Sequence, residues 1–353
     1  MSDRITIGMD MGDRKSHFCA LDAQGEVVEE FVLPTTREGL AEHFAEHPPA
    51  LFALETGTHS AWVSEWLAEQ GHEVLVGNAR KLRAIWNTER KSDERDARML
   101  ARIARFDPKL LHPIRHRGRQ ARLDLVHLKS RDLLVRTRTM QVAHVRGIVK
   151  SFGERVSSCT AESFAKRARE ELGEELLDRL EPILESIEGL DKRIRGYNQR
   201  IEELCMRNYP ETAKLRNVAG VGPLTALAFV LSVEDPTRFG KSREVAPWLG
   251  LVPRRDQSGG SDKQLGITKA GNDYLRRLLV GASQYILGAF GPDCELRRFG
   301  ERIAARGGAR ARRRAVVAVA RKLAVLLHRL WVSDQPYDPF YHQPKAARLQ
   351  RAG

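Results

Sequence analysis

Over the first hundred residues, apolar positions alternate or gather in short runs between turns, and this pattern predicts a mixed α/β unit. Residues 5–9 alternate weakly and lead to Asp10, and residues 17–22 and 27–33 make two more strand-like runs around the turn Ala23-Gln24-Gly25. Together they predict a three-stranded antiparallel meander. Residues 36–46 carry helical spacing, 50–54 form an apolar run ending at Glu55, 60–70 return to helical spacing, and 73–76 read as a short strand. A basic helix is expected over 79–86, and a further helix over 93–105.

Beyond residue 110 the pattern becomes almost wholly helical. Leu123, Val126, Leu133, Leu134, Val142, Val145 and Val149 recur at mostly helical spacing among many arginines, and a second long pattern runs from Leu176 to Leu204. Such helices pair as a coiled coil, within one chain or between subunits. Pro182 predicts a break in the second pattern. In LRNVAGVGPLTALAFVLSV, residues 215–233, Gly220 and Gly222 precede a Pro and an apolar helix, the arrangement of a helix-hairpin-helix that grips a phosphate through backbone N–H groups. The alternative is a tight turn in an ordinary bundle. Ser258 is expected in a polar, glycine-flanked loop between two helices. Downstream, Lys269, Arg276 and Arg277 stand as candidates to neutralise phosphate, and Thr268 as the cap of a helix starting near Ala270.

Charge adds a partner to this outline. The 353-residue chain has a formal net charge of +13. Residues 115–150 hold ten Lys or Arg against two Asp, and residues 301–353 hold twelve against three acidic residues. Two separate basic blocks predict two polyanion-contacting surfaces, and charge by itself does not distinguish DNA, RNA or membrane. Cys19, Cys159, Cys205 and Cys294 are scattered, which argues against a disulfide framework or a structural zinc site. With no signal-like leader and no run of 18 apolar residues, a cytoplasmic protein without a membrane span is expected.

Candidate chemistry centres on four carboxylates. The order βββ-α-β-α-β-α predicts a ribonuclease-H-like sheet, with the meander and two crossover strands in one layer. Asp10 then ends the central strand and Glu55 ends its neighbour, while Asp93 and Asp96, three apart on a helix, share one face. Clustered carboxylates repel unless cations lie between them, so the set predicts divalent metal. Singly, each acid also fits a turn, a strand end or a helix start, with Ser92 or Asp93 as N-cap. Asp10-Met11-Gly12 matches the phosphate turn of sugar kinases and actin-like ATPases too, but no second glycine-rich phosphate turn follows Glu55.

The ordered set IGMDMGDRKSH, ALETG, KSDERDARMLA, VAGVGPLTA and GLVPRRDQSGG…GITKAGNDYLRRLLVGAS resembles the DEDD transposases of the IS110 insertion-sequence family, which include Piv-like DNA invertases. The resemblance covers nearly the whole chain. It implies a RuvC-like DEDD nuclease domain over 1–110, a helical coiled-coil linker over 111–210, a mainly helical transposase domain over 211–333 and a polar tail over 334–353. By position, the metal-binding tetrad is Asp10, Glu55, Asp93 and Asp96, and the nucleophile is Ser258, with Ser261 a competing hydroxyl. The resemblance further implies two Mg²⁺ ions, with Mn²⁺ as a substitute, and a 5'-phosphoserine link to DNA. It also implies donor and target DNA, a structured bridge RNA and a homo-tetramer built as a dimer of dimers. The alternative is a RuvC-like structure-selective nuclease or resolvase acting through metal-activated water.

Overall fold

The computed structural model describes residues 4–85, 92–333 and 335–341, so Trp86 and most of the expected tail lie outside the described residues. The chain forms two compact units, residues 1–116 and 117–353.

In the first unit the sequence is folded as β1 (Thr6–Met11), β2 (Lys15–Leu21), β3 (Val27–Pro34), α1 (Arg37–Phe44), β4 (Leu51–Glu55), α2 (Ser60–Glu69), β5 (Glu73–Gly77), α3 (Ala79–Ile85) and α4 (Asp93–Phe106). The strands make one sheet in the order β3-β2-β1-β4-β5, with β1 antiparallel to β2 and parallel to β4. Alternation sorts the two faces. Ile7, Met9, Phe18, Phe52 and Leu54 point to one side and pack on Leu40 and Phe44 of α1 and Val63, Trp66 and Leu67 of α2. On the other side Cys19 and Leu21 meet Ala97 and Ala101 of α4, and Ala53 meets Leu100 and Ala104.

Close seating of α4 depends on Gly8. A Cβ at this position would lie 2.0 Å from the Ala97 carbonyl oxygen and 2.5 Å from the Ala101 nitrogen. Both are helix backbone, so the whole of α4 would have to lift. Gly8→Val is therefore expected to cost about 3 kcal/mol, roughly 10 °C in the unfolding midpoint of this unit, as measured by calorimetry. A midpoint within about 2 °C of wild type would show that α4 is not seated against β1.

The second unit contains α5 (Arg119–Ile148), α6 (Phe164–Glu171), α7 (Glu174–Arg207), α8 (Thr212–Arg216), α9 (Pro223–Val233), α10 (Val245–Trp248), β6 (Pro253–Ser258), β7 (Ser261–Ile267), α11 (Asp273–Leu287), α12 (Glu295–Ala304) and α13 (Gly308–Val332). Every residue of α9 from Thr225 to Val233 is buried, so this apolar helix is the spine of the unit. The first turns of α5 and the last turns of α7 share its core through Leu125, Leu128, Ile201 and Leu204. At the far end of that helical pair, Val145 and Val149 close with Phe164 and Ala168 of α6 over Leu176 and Leu180. Between the two clusters, buried Arg138 of α5 pairs with Asp191 of α7 and with Glu162. Burial pulls the Arg138 guanidinium down, but the two carboxylates outweigh it and hold the group above its ordinary value.

Three local expectations are corrected. Helix α7 runs unbroken through Pro182, because the buried face of Leu176, Leu180, Leu184 and Ile187 outweighs the one backbone hydrogen bond that proline removes. The helix expected near Ala270 starts at Asp273, where Asn272 rather than Thr268 caps it by accepting from the Leu275 N–H at 3.1 Å. Ser258 lies in a β-hairpin, not in a loop between helices. In the coarse view, a mixed α/β N-terminal sheet followed by a mostly helical region is what the residue pattern predicts.

Candidate functional site

The acidic edge is built by strand register. Met9 pairs with Leu54 in the parallel β1–β4 ladder, so Asp10 and Glu55 are the next residues on neighbouring strands. Two positions after Gly8 and Ala53, they face the side of the sheet that α4 covers. Asp93 and Asp96 sit in the first turn of α4, one turn before the Ala97 and Leu100 that touch the sheet. The fold thus brings all four carboxylates to the C-terminal end of β1 and β4, on one face. Asp10, Glu55 and Asp96 are half-buried, and Asp93 is exposed.

The loops around this edge are pinned. Thr35 donates its hydroxyl to the Gly12 carbonyl at 3.0 Å, and Ser16, buried beside it, bonds the same hydroxyl at 2.8 Å. A Cβ on Gly12 would meet the Lys15 carbonyl oxygen at 2.3 Å, so this glycine serves the β1–β2 turn. Past Glu55, Thr56 donates its hydroxyl to the Gly77 carbonyl at 2.6 Å, and Ser60 donates to the Gly57 carbonyl at 2.8 Å. Trp62 donates its indole N–H to His59 Nδ1 at 3.1 Å. That leaves His59 Nε2–H to meet Asp13 Oδ1 at 3.3 Å, which ties the loops after β1 and β4 to each other.

One residue of this edge was not singled out from the pattern. His17 pairs directly with Asp10 across β1 and β2, and its Nε2 lies 3.7 Å from Asp93 Oδ2. Its Nδ1 is buried without a hydrogen-bond partner. His17 therefore stands on this edge, opposite Asp10 in register and within ion-pair distance of Asp93. The register of the first hairpin was the available signal, since Met11 opposite Ser16 puts residue 17 opposite residue 10.

Among the described residues, no three His, Cys, Asp or Glu side chains stand close enough to cage an ion unaided. The donor set nevertheless fits a hard divalent cation. Mg²⁺ is held by one or two carboxylates together with substrate phosphate oxygens, not by an all-protein cage, and these are carboxylate oxygens at an accessible strand end.

In the second unit Ser258 and Ser261 are opposed across the two-residue turn Gly259-Gly260. Gly259 has a φ of 54°, the left-handed backbone that tight hairpins need. All of β6 is exposed, and an Arg255–Asp262 ion pair at 2.6 Å braces the strands. Both hydroxyls are exposed on the same face as Asp256 and Lys263.

The hairpin's feet are clamped. Gly250, with φ of 67°, lies so close to Ala270 that a Cβ would be 2.3 Å from its nitrogen, and Gly271 meets the Trp248 carbonyl oxygen in the same way at 2.0 Å. Arg276 is buried, at 7% exposure. Its guanidinium donates to the Leu249 and Ala270 carbonyls, both at 2.9 Å, and to Asp273 at 2.8 Å. Its charge is thus spent inside the protein and not offered to a phosphate, which corrects the sequence reading. Arg276→Met would leave two buried carbonyls unmet, and a loss of about 3 kcal/mol in urea unfolding is expected. Arg276→Lys should recover only part, because lysine lacks the fork that spans both feet. Full stability in the Met variant would remove Arg276 from this role.

Arg277 is likewise engaged, by Asp132 at 3.1 Å and Asp273 at 3.1 Å. Lys269 adopts φ of 54° and donates its backbone N–H to the Gly250 carbonyl at 3.1 Å. Gly220 and Gly222 lie between α8 and α9. A Cβ on Gly220 would strike the Ala282 carbonyl oxygen at 2.7 Å, so this glycine lets the turn approach α11; Gly222 faces open space.

Comparison with known proteins accounts for both segments. Residues 212–298 match the family model described as Transposase IS116/IS110/IS902 family, and residues 7–153 match a transposase model of the DEDD IS110 type. The first holds the hairpin and the second holds all four acids. The chain is 27% identical over 289 residues to a probable family 20 transposase of Pseudomonas aeruginosa, covering 80% of this chain and 83% of the relative. It is 33% identical over 171 residues to the transposase for insertion sequence element IS1111A of Coxiella burnetii, 45% of either chain. A pilin gene-inverting protein of Moraxella bovis is 25% identical over 312 residues, 86% of each chain. No helix among the described residues is long and apolar enough to cross a membrane. With one family's transposase models covering the sheet with its acidic edge and the helical unit with its hairpin, the chain carries the DEDD transposase domains of the IS116/IS110/IS902 family.

Proposed function

We propose that this transposase cuts and rejoins donor and target DNA through a phosphoserine intermediate, with Ser258 as nucleophile and Asp10, Glu55, Asp93 and Asp96 as the metal-holding set. The observation that carries the reading is that Asp10 and Glu55 end neighbouring strands on the face of the sheet over which α4 brings its first turn, with Asp93 and Asp96. The sheet order β3-β2-β1-β4-β5, with its antiparallel meander and parallel crossover strands, supports a RuvC-like assignment. Two Mg²⁺ ions at the four carboxylates, or Mn²⁺ in their place, would supply Lewis acidity to the scissile phosphate and to the leaving oxygen.

The protein's own part is positional. The rigid strand ends hold Asp10 and Glu55, and α4 holds Asp93 and Asp96 over them. The hairpin carries Ser258 on an exposed tip, where a phosphodiester has unobstructed access. Ser258 Oγ attacks the phosphorus, the bond to the 3'-oxygen breaks, and the DNA 5'-phosphate stays on the serine. The hydroxyl proton leaves to solvent, and attack by another strand's 3'-hydroxyl reverses the exchange, so no ATP is needed. The hairpin holds no His, which is consistent with a serine activated from the acidic edge.

The turn at Gly220 to Gly222 is read as a helix-hairpin-helix contact to phosphate, and the two basic blocks as surfaces for DNA and a structured bridge RNA. Assembly is read as a tetramer whose acidic edge and serine come from different subunits. Val126, Leu133 and Met140 support it, since they recur every seven residues on α5 and are 55%, 56% and 65% exposed. The double substitution Leu133→Glu and Met140→Glu should reduce the mass seen by light scattering by at least half, with helix content kept; an unchanged mass would remove α5 from the interface.

The function is tested by incubating the protein with its element ends, target DNA and Mg²⁺. Joined products that disappear with EDTA, with Asp10→Ala and with Ser258→Ala are expected. Products that survive Ser258→Ala but not Asp10→Ala would replace the serine route with metal-activated water.

A further inference from the structure

A cavity of about 870 Å³ in the second unit is lined by none of the four acids and not by Ser258. One wall is the segment 240–243, another is a stripe of α13 at Ala318, Arg321, Lys322, Val325 and Arg329, and Phe299 and Tyr341 close it. The α13 positions fall at helical spacing, so one face of the helix delivers all of them. Five cations line the cavity, Lys241, Arg243, Arg321, Lys322 and Arg329, and among the described residues no acidic one does.

Arg169, Arg216, Arg255, Arg277, Arg297 and Arg298 each hold a carboxylate. By contrast, Lys241, Arg243, Arg321 and Arg329 make no ion pair among the described residues. Lys322 lies over the Phe299 ring, 4.1 Å from its centroid. Burial pulls its ammonium below the usual lysine range, with Glu295 opposing and Arg302 adding to the shift. Concentrating like charges beside apolar walls is unfavourable until an anion enters.

The wall is preformed. His328, 2% exposed on α13, donates Nε2–H to the Pro236 carbonyl at 2.8 Å, because a carbonyl can only accept. Its Nδ1 must then accept the Ser242 hydroxyl at 2.9 Å. The 240–243 segment is thereby fastened to the helix that supplies Arg321 and Arg329.

We propose that this cavity binds one nucleotide of a single-stranded nucleic acid, its phosphates on Arg321, Arg329, Lys241 and Arg243 and its base against Phe299, Val325 and Tyr341. The volume suits a ligand of that size. Cations alone would accept any phosphate, but an aromatic and aliphatic wall beside them matches a base whose face is free. Bases within a duplex stay stacked on their neighbours and do not offer that face. RNA and DNA single strands share this chemistry. The inference deepens the nucleic-acid reading above, and binding is measured in EDTA, where strand transfer is silent, so its failure is separate from failure of the chemistry.

Anisotropy of fluorescein-labelled oligo-U and oligo-dT, about ten nucleotides long, is followed with the full-length protein over a salt series. The pair Arg321→Ala and Arg329→Ala should weaken binding at least tenfold and flatten the log–log salt slope by about 1.4, two phosphate contacts' worth. Tyr341→Leu should weaken it several-fold with the slope kept. Arg312→Ala with Arg313→Ala, exposed on the same helix outside the cavity, serves as reference. Preference for either oligomer supports the site and names its source. Equal loss in the reference pair, or equal loss on a duplex of the same length, would overturn it. Photocrosslinking of wild type to 5-iodouridine and 5-iododeoxyuridine strands needs no variant: crosslinks at Phe299 or Tyr341 support the site, and crosslinks confined elsewhere overturn it.

Discussion

Asp10→Asn and Glu55→Gln are each expected to lower DNA strand cleavage by at least about a thousandfold, equivalent to about 4 kcal/mol of transition-state stabilisation. Both changes keep the size of the side chain and remove its charge. Both residues are half-buried at the ends of paired strands, so the neutral amides fit the same space. Each also takes one negative charge from an edge that carries four, and stability without metal should be kept or slightly raised. Mn²⁺ is expected to raise the unfolding midpoint of the wild type and not of these variants, because a ligand that binds only the folded state stabilises it more the tighter it binds. Cleavage within tenfold of wild type, or an undiminished Mn²⁺ effect, would exclude these carboxylates as the metal-holding set.

Ser258→Ala has an equally large expected effect with a different signature. The residue is exposed at the end of β6 and its removal leaves no buried group unmet, so stability should stay within about 0.5 kcal/mol of wild type. Strand exchange should be lost, while Mn²⁺ stabilisation remains, since the acidic edge is intact. Ser261→Ala separates the two hydroxyls. Ser261 is directly opposite Ser258 across the Gly259-Gly260 turn, so it shares the environment and differs in its place along the strand. Exchange retained in Ser261→Ala and lost in Ser258→Ala is expected, and the reverse would move the nucleophile across the turn.

The pattern of residues carried the sheet because its strands are half-buried. Burial of Ile7, Met9, Phe52 and Leu54 on one face leaves short apolar runs that end at Asp10 and Glu55, and the ends of such runs can be read directly. The hairpin was illegible for the opposite reason. All of β6 is exposed, so neither apolar alternation nor propensity marks it, and only the glycine pair between two serines signals a turn. Pro182 misled because local backbone preference is weaker than a continuous buried face. Arg276 reads like any arginine near a phosphate site until Leu249 and Ala270 are folded around it. His17 required the register of β1 and β2, which follows from the turn and not from its own neighbours.

The most direct test of the central claim is to map the covalent bond. Wild-type protein would be trapped on element DNA carrying a nicked or mismatched end in the presence of Mg²⁺, digested with nuclease and protease, and its peptides weighed and fragmented. A 5'-phosphonucleotide on Ser258, absent in Asp10→Asn, is the expected result. Efficient cleavage with no nucleotide on any serine of the 253–267 hairpin would contradict it.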